Sequence, residues 1–250
     1  MKNSPFSFSR WGRGRPIILL HGWGMNTSVF EPLCQELAKT REVIAVDLPG
    51  YGASAWDSSL NFQAQVSMIA RELPEGELLG WSMGGLYAIE MARQYPEKFD
   101  RLLLVCCNPC FVRRDDWECA VDEQVFDAFN QDLQRGWRNT IKRFLSLQMH
   151  GSDDARSLVR SLMAGLQAGG EPNPKALQFG LDLLKQTDSR ELLAALSLPT
   201  KIILGERDQL VPANLSKEMI KVNSQIQVES LATAAHAPFL SHTAQFLAMI

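Results

Sequence analysis

The chain has 250 residues, 46% hydrophobic and 21% charged, with a formal net charge of −3. That is enough apolar material for one sizeable α/β domain with its own core. The mild acidity argues against a nucleic-acid partner, and no apolar run approaches the ~18 residues of a membrane span, so no membrane partner is expected either. Met1 to Arg10 is polar and lacks the apolar core of a signal peptide. The cysteines, Cys34, Cys106, Cys107, Cys110 and Cys119, are odd in number, which predicts reduced thiols and a cytoplasmic location. Cys107-Asn-Pro-Cys110 has metal-type spacing but no second ligand pair follows it. Neither a metal nor a cofactor is expected.

In chain order, Ile17 to Leu20 is a continuous apolar run, as in a strand buried on both faces. A helical pattern runs from about Ser28 to Ala38. Val43 to Val46 is a second strand, closed by the turn residues Asp47-Leu48-Pro49-Gly50-Tyr51-Gly52. Phe62 to Leu73 reads as a helix, Leu78-Leu79 as a short strand, Gly84 to Gln94 as a helix and Leu102 to Cys106 as a strand. Alternating strands and helices predict a parallel sheet with right-handed crossovers.

From Cys110 to Leu193 the strands stop. Amphipathic helical patterns take over at Val125 to Leu133, Trp137 to Gln148, Ala155 to Leu166 and Lys175 to Lys185. Strand signals then resume at Lys201 to Leu204 and Gln227 to Leu231, with helices at Ala213 to Val222 and Thr243 to Ile250. The pattern predicts one core made of residues 1–109 and 194–250, with a helical cap inserted at 110–193.

The chemistry centres on Gly80-Trp81-Ser82-Met83-Gly84, a G-x-S-x-G stretch between a strand and a helix. That context is a nucleophile elbow, which lifts a serine hydroxyl above the sheet beside a helix N-terminus. A hydroxyl needs a base, and the base an orienting acid. His236, in the small-residue loop Ala234-Ala235-His236-Ala237-Pro238, follows the last strand and suits the base. Asp208, in Gly205-Glu206-Arg207-Asp208, suits the acid, with Glu206 as its rival. Acyl transfer also needs an oxyanion hole. Its two N–H groups are assigned to Met83, after the nucleophile, and to Trp23, in His21-Gly22-Trp23-Gly24 after the first strand. His21 is expected to shape that loop.

Elbow, acid, histidine and H-G-W-G loop occur in the order of the α/β-hydrolase superfamily, which the chain resembles over nearly its whole length. Four segments resemble one family within it more closely: Leu19 to Asn26, Val46 to Gly52, Leu79 to Leu86 and Ala234 to Phe239. So do Asn108 to Phe111 and the cap segment Arg143 to Gln148. That family is the pimeloyl-[acyl-carrier protein] methyl ester esterases of biotin synthesis. The resemblance implies a mostly parallel sheet flanked by helices and a helical cap. It implies a serine esterase that frees methanol from the far carboxylate of a pimeloyl chain and leaves the carrier thioester intact. Ser82, Asp208 and His236 would be catalytic. Trp23, Met83, Phe144, Leu145, Ser146, Leu147 and Gln148 would contact substrate. An acyl carrier protein is then the expected partner of an otherwise monomeric chain.

Basic residues recur on the cap at helical spacing. Lys142, Arg143, Arg156 and Arg160 are the candidates for docking an acidic carrier, with Arg135 and Arg138 nearby. Asn139 and Met163 stand where further basic residues would complete the family pattern. A short-chain carboxylesterase or thioesterase is the enzymatic alternative, and an inactive ligand-binding relative the non-enzymatic one.

Overall fold

The computed structural model describes residues 4–152 and 154–250. Seven strands form one sheet in the order β1-β3-β2-β4-β5-β6-β7. They are β1 (Phe8–Trp11), β2 (Pro16–Leu20), β3 (Glu42–Val46), β4 (Gly76–Trp81), β5 (Phe99–Val105), β6 (Thr200–Gly205) and β7 (Gln227–Leu231). Only β1 runs antiparallel, pairing Phe8 with Val46 and Trp11 with Val43 at the sheet edge. Ile17 to Leu20 and every residue of β4 are buried, as continuous apolar runs in a sheet covered on both faces require.

The chain moves outward from β2 to β3, then returns past β2 to β4. Right-handed crossovers therefore put α1 (Glu31–Leu37) on one face, and α2 (Phe62–Glu72) and α3 (Met83–Gln94) on the other. The reversal makes the carboxyl ends of β2 and β4 neighbours, with Leu20 opposite Gly80. A crevice at such a switch point is where open α/β sheets bind ligands.

Between β5 and β6 lie α4 (Glu123–Arg135), α5 (Trp137–Gln148), α6 (Ala155–Gly169), α7 (Pro174–Gln186) and α8 (Arg190–Ala195). In that stretch the described residues hold only the isolated bridges Val112–Val121 and Arg114–Trp117. α4 packs on α5 and α7, and α5 on α6. α8 instead packs on α3 and on α9 (Leu215–Val222), within the layer that flanks the sheet. The sequence boundary at 193 thus falls inside α8. The chain ends with α10 (Pro238–Ser241) and α11 (Thr243–Leu247).

Several elements differ from the sequence reading, among them α10, which it lacked, and α11, which ends at Leu247 instead of Ile250. β1 has four part-exposed residues and no apolar run, so nothing in its composition marks it. The helix expected from Ser28 splits into a 3-10 turn, Thr27–Phe30, and α1, whose first turn holds Pro32. Proline suits that position, where its missing N–H is not needed. α9 starts two residues late, after the Pro212-Ala213-Asn214 turn.

β4 is anchored at its far end by charge. Glu77 is buried there, with Arg41 at 2.7 Å, Arg101 at 3.7 Å and Arg15 at 3.8 Å. All five cysteines are buried and free. No helix of the described residues is long and apolar enough to cross a membrane.

Candidate active site

β4 ends at Trp81, and Ser82 sits between it and α3 with φ 55° and ψ −121°. A non-glycine residue in left-handed space is strained, and such strain persists only where its surroundings over-determine it. Here they do. The Ser82 N–H donates to Val105 O at 2.9 Å, and the Gly85 N–H donates to Ser82 O at 2.9 Å. Gly80 allows the close approach: a Cβ there would lie 2.5 Å from the Gly85 Cα. The start of α3 therefore points its free N–H groups at the space above Ser82, where negative charge is favoured.

His236 follows β7 and packs beside Trp81, the residue before Ser82; its Nε2 makes no hydrogen bond to Ser82 Oγ. Its Nδ1 lies 2.7 Å from Asp208 Oδ2. Asp208 Oδ1 accepts from the Leu210 and Val211 N–H groups at 2.8 and 3.0 Å. With Oδ1 taken by two backbone donors, Oδ2 faces the imidazole as the acceptor, which makes Nδ1 the donor nitrogen and leaves Nε2 with its lone pair. The Trp81 indole N–H donates to His236 O at 2.7 Å, and the two rings are 5.7 Å apart. Glu206, the rival acid, is exposed, whereas Asp208 is buried.

The loop after β2 closes over Ser82. A Cβ on Gly22 would come within 3.2 Å of the Ser82 Cβ. His21 holds this loop from below: its Nδ1 lies 2.8 Å from Gly22 O, and its Nε2 accepts from the Leu48 N–H at 3.0 Å. Burial pushes its pKa down, against a hydrogen bond to Gly22 and the charge of Asp47, so the ring is neutral. The Trp23 indole N–H donates to Leu177 O in α7 at 2.8 Å, and its ring meets Phe144 edge-on at 4.9 Å. Met83 follows the serine at the start of α3, and Trp23 follows Gly22, which packs against Ser82.

The helix α5 divides its residues by face. Phe144, Leu145 and Gln148 are buried, Leu147 is half-buried, and Ser146 is exposed with its hydroxyl donating to Lys142 O. Ser146 therefore turns away from Ser82. Four buried side-chain polar atoms lack a hydrogen-bond partner among the described residues, and three of them belong to this site: Gln148 Nε2 and Oε1, and His236 Nε2. Such atoms demand an explanation, and a polar ligand between them supplies one. Lys142, Arg143, Arg156 and Arg160 are all exposed. Arg143 is ion-paired with Asp132 and lies 5.7 Å over the Phe129 ring, so it also ties α5 to α4.

Sequence reasoning passed over one neighbour of the acid. Cys106, at the end of β5, has φ 44°, and its Sγ falls within 4.8 Å of ligand-type atoms of Asp208 and His236. His236 Nδ1 and Asp208 Oδ2 are already bonded to each other, so the cluster is the acid–base pair with a thiol beside it. Burial, with Asp208 beside it, pushes the thiol pKa well up. Ser82 is 2% exposed and His236 not at all, so the site is closed under the inserted helices.

The model of the alpha/beta hydrolase fold family matches residues 15–243. The chain is similar to the pimeloyl-[acyl-carrier protein] methyl ester esterase of Xanthomonas oryzae pv. oryzae, 43% identical over 235 residues, which covers 94% of this chain and 92% of the relative. The chain belongs to the pimeloyl-[acyl-carrier protein] methyl ester esterase family of alpha/beta hydrolases. The relative from Xylella fastidiosa is 39% identical over 242 residues, 96% of this chain and 94% of its own. Solved structures extend the likeness in fold. An esterase from Exiguobacterium antarcticum superposes with a TM-score of 0.89 at 23% identity, covering 98% of this chain and 93% of that one. A bromoperoxidase from Bacillus anthracis does so with a TM-score of 0.87 at 20% identity, with the same coverage. At these identities the structures speak for the fold alone. Membership of the esterase family rests on the curated relatives.

Proposed function

We propose that the chain is a serine esterase that hydrolyses the methyl ester of a pimeloyl group carried as a thioester on an acyl carrier protein, in biotin synthesis. The identity to relatives of that name over almost the full chain is the observation that carries the reading. The Asp208–His236 pair beside the strained Ser82 supplies the chemistry that the reading needs. The inserted helices α4 to α7 are then a cap, and the reaction is cytoplasmic.

In this reading Ser82 Oγ attacks the ester carbonyl while His236 Nε2 takes its proton. Asp208 holds the Nδ1 proton and stabilises the imidazolium without itself being protonated. The tetrahedral oxyanion is held by the N–H groups of Trp23 and Met83. Collapse expels the methoxy group, which takes the proton from His236 and leaves as methanol. Water then attacks the acyl-enzyme, again giving its proton to His236. Ser82 regains that proton, and the free carboxylate departs. Gln148, with both amide atoms unpartnered, offers the polar contact for the chain. Phe144 and Leu145 offer its apolar wall.

The carrier stays outside, where Lys142, Arg156 and Arg160 present positive charge on a net-acidic protein. The test is direct. The purified chain, given the carrier-bound pimeloyl methyl ester, releases one methanol per carrier and leaves the thioester intact. Appearance of free carrier thiol instead would replace this reading with a thioesterase.

A further inference from the structure

α7 buries Ala176, Leu177, Gly180, Leu181, Leu183 and Leu184. Gly180 stands inside this helix without a left-handed φ. Alanine forms helix better at such a position, because glycine loses more backbone freedom. Space explains the glycine. A Cβ at 180 would lie 2.6 Å from Trp23 Cδ1, 2.7 Å from Tyr51 Oη and 3.0 Å from Met83 Sδ. Two of those three neighbours are the residues whose N–H groups form the oxyanion hole in the proposed reaction. The carbonyls one turn earlier in α7 hold the same side chains. Leu177 O accepts from the Trp23 indole at 2.8 Å, and Ala176 O accepts from the Tyr51 hydroxyl at 3.2 Å. Trp23 has no room to retreat, since it is fully buried and its ring also abuts Phe144.

We propose that Gly180 is a positioning residue for the oxyanion hole. Its bare backbone lets α7 press against Trp23 and Met83 at once and fix the loop after β2 against the start of α3, on either side of Ser82. The inference rests on the serine-esterase reading of this site but not on the identity of the acyl chain. A methyl group at 180 pushes Trp23 and Met83 apart. The loss falls on transition-state stabilisation, because the hole engages the oxyanion more strongly than the ground-state carbonyl.

The test is Gly180→Ala assayed on p-nitrophenyl butyrate, with kcat, KM and melting temperature measured together. The expected result is a kcat lower by about tenfold to a hundredfold with KM within about threefold, as for a small misplacement of catalytic groups. Inactivation by diisopropyl fluorophosphate, whose phosphoryl oxygen occupies the same hole, slows in parallel. A smaller loss of kcat, or a higher KM at parental kcat, overturns the proposal. Should Gly180→Ala fail to fold, Trp23→Phe carries the test, because it removes the indole donor to α7 and leaves Gly180 in place. A folded Trp23→Phe with parental kcat overturns the proposal equally. Full turnover by Ser82→Ala would sink the esterase reading itself, a different failure from either of these.

Discussion

The backbone N–H of His236 donates to the carbonyl oxygen of Gln148 at 3.2 Å. Gln148 is the last residue of α5, and its carbonyl is among those that a helix leaves without an internal partner. The loop that carries the base therefore caps the helix that roofs the site. The position of α5 and that of the base loop are thereby tied to each other through one hydrogen bond.

Replacing Ser82 with alanine removes the nucleophile and keeps the backbone problem unchanged, since alanine also carries a Cβ at φ 55°. Turnover of p-nitrophenyl butyrate is expected to fall by roughly a thousandfold or more, with the fold kept, as in other enzymes that lose a triad member. Circular dichroism and a melting curve check the fold. Residual activity above about a hundredth of the parent would point to another nucleophile.

The two candidate acids separate cleanly. Asp208→Asn keeps the shape but presents an amide to His236 Nδ1, which favours the wrong tautomer. The expected loss in kcat is on the order of 10⁴. Glu206→Gln changes an exposed side chain and leaves turnover near the parent's. Reversed effects would move the orienting role to Glu206.

His21 makes stability depend on pH. Burial depresses its pKa in the folded chain, whereas the unfolded chain titrates near the ordinary 6.5. Below that pH the unfolded state binds a proton that the folded state refuses, so stability falls as pH drops through the window between the two values. The slope is at most about 1.4 kcal/mol per pH unit for one proton. His21→Gln, which takes up no proton, shows a flatter dependence in chemical denaturation between about pH 7 and 5. Parallel curves for the two proteins would rule this origin out.

The exposed basic residues predict a split between substrates. Reversing Lys142, Arg156 and Arg160 to glutamate slows hydrolysis of the carrier-linked methyl ester and leaves the small p-nitrophenyl ester untouched. Added salt imitates the mutations, because steering is screened over a Debye length of ~8 Å at physiological ionic strength. Arg143 is unsuited to this test, since its pairing with Asp132 holds α4 to α5. Equal losses on both substrates would assign the three residues to holding the helices together.

The positions of Ser82, Asp208 and His236 were legible in the sequence because strand and helix signals bracket each loop, and the loops fall at one end of a parallel sheet. The face of α5 was not. A five-residue contact segment, Phe144 to Leu147 with Gln148, spans more than one helical turn, so Ser146 had to point outward. Gly180 was invisible for another reason. Its role depends on α7 meeting Trp23, Tyr51 and Met83, all far earlier in the chain, and nothing local distinguishes it from a poor helix former. β1 escaped notice because an edge strand exposed on one side needs no apolar run.

Glu77 and Ser82 sit at opposite ends of β4, five residues and roughly 17 Å apart at the usual rise of a strand. The arginines around Glu77 clamp the base of the strand, while its pairing with β2 and β5 fixes the register that carries the tip. The strand behaves as a measuring rod with a clamped base. A substitution at that base would be scored as a catalytic defect in an activity screen, although it lies at the other end of the strand and touches no reactant. Screening Glu77 variants by folded yield alongside turnover would tell a slipped rod from a lost one.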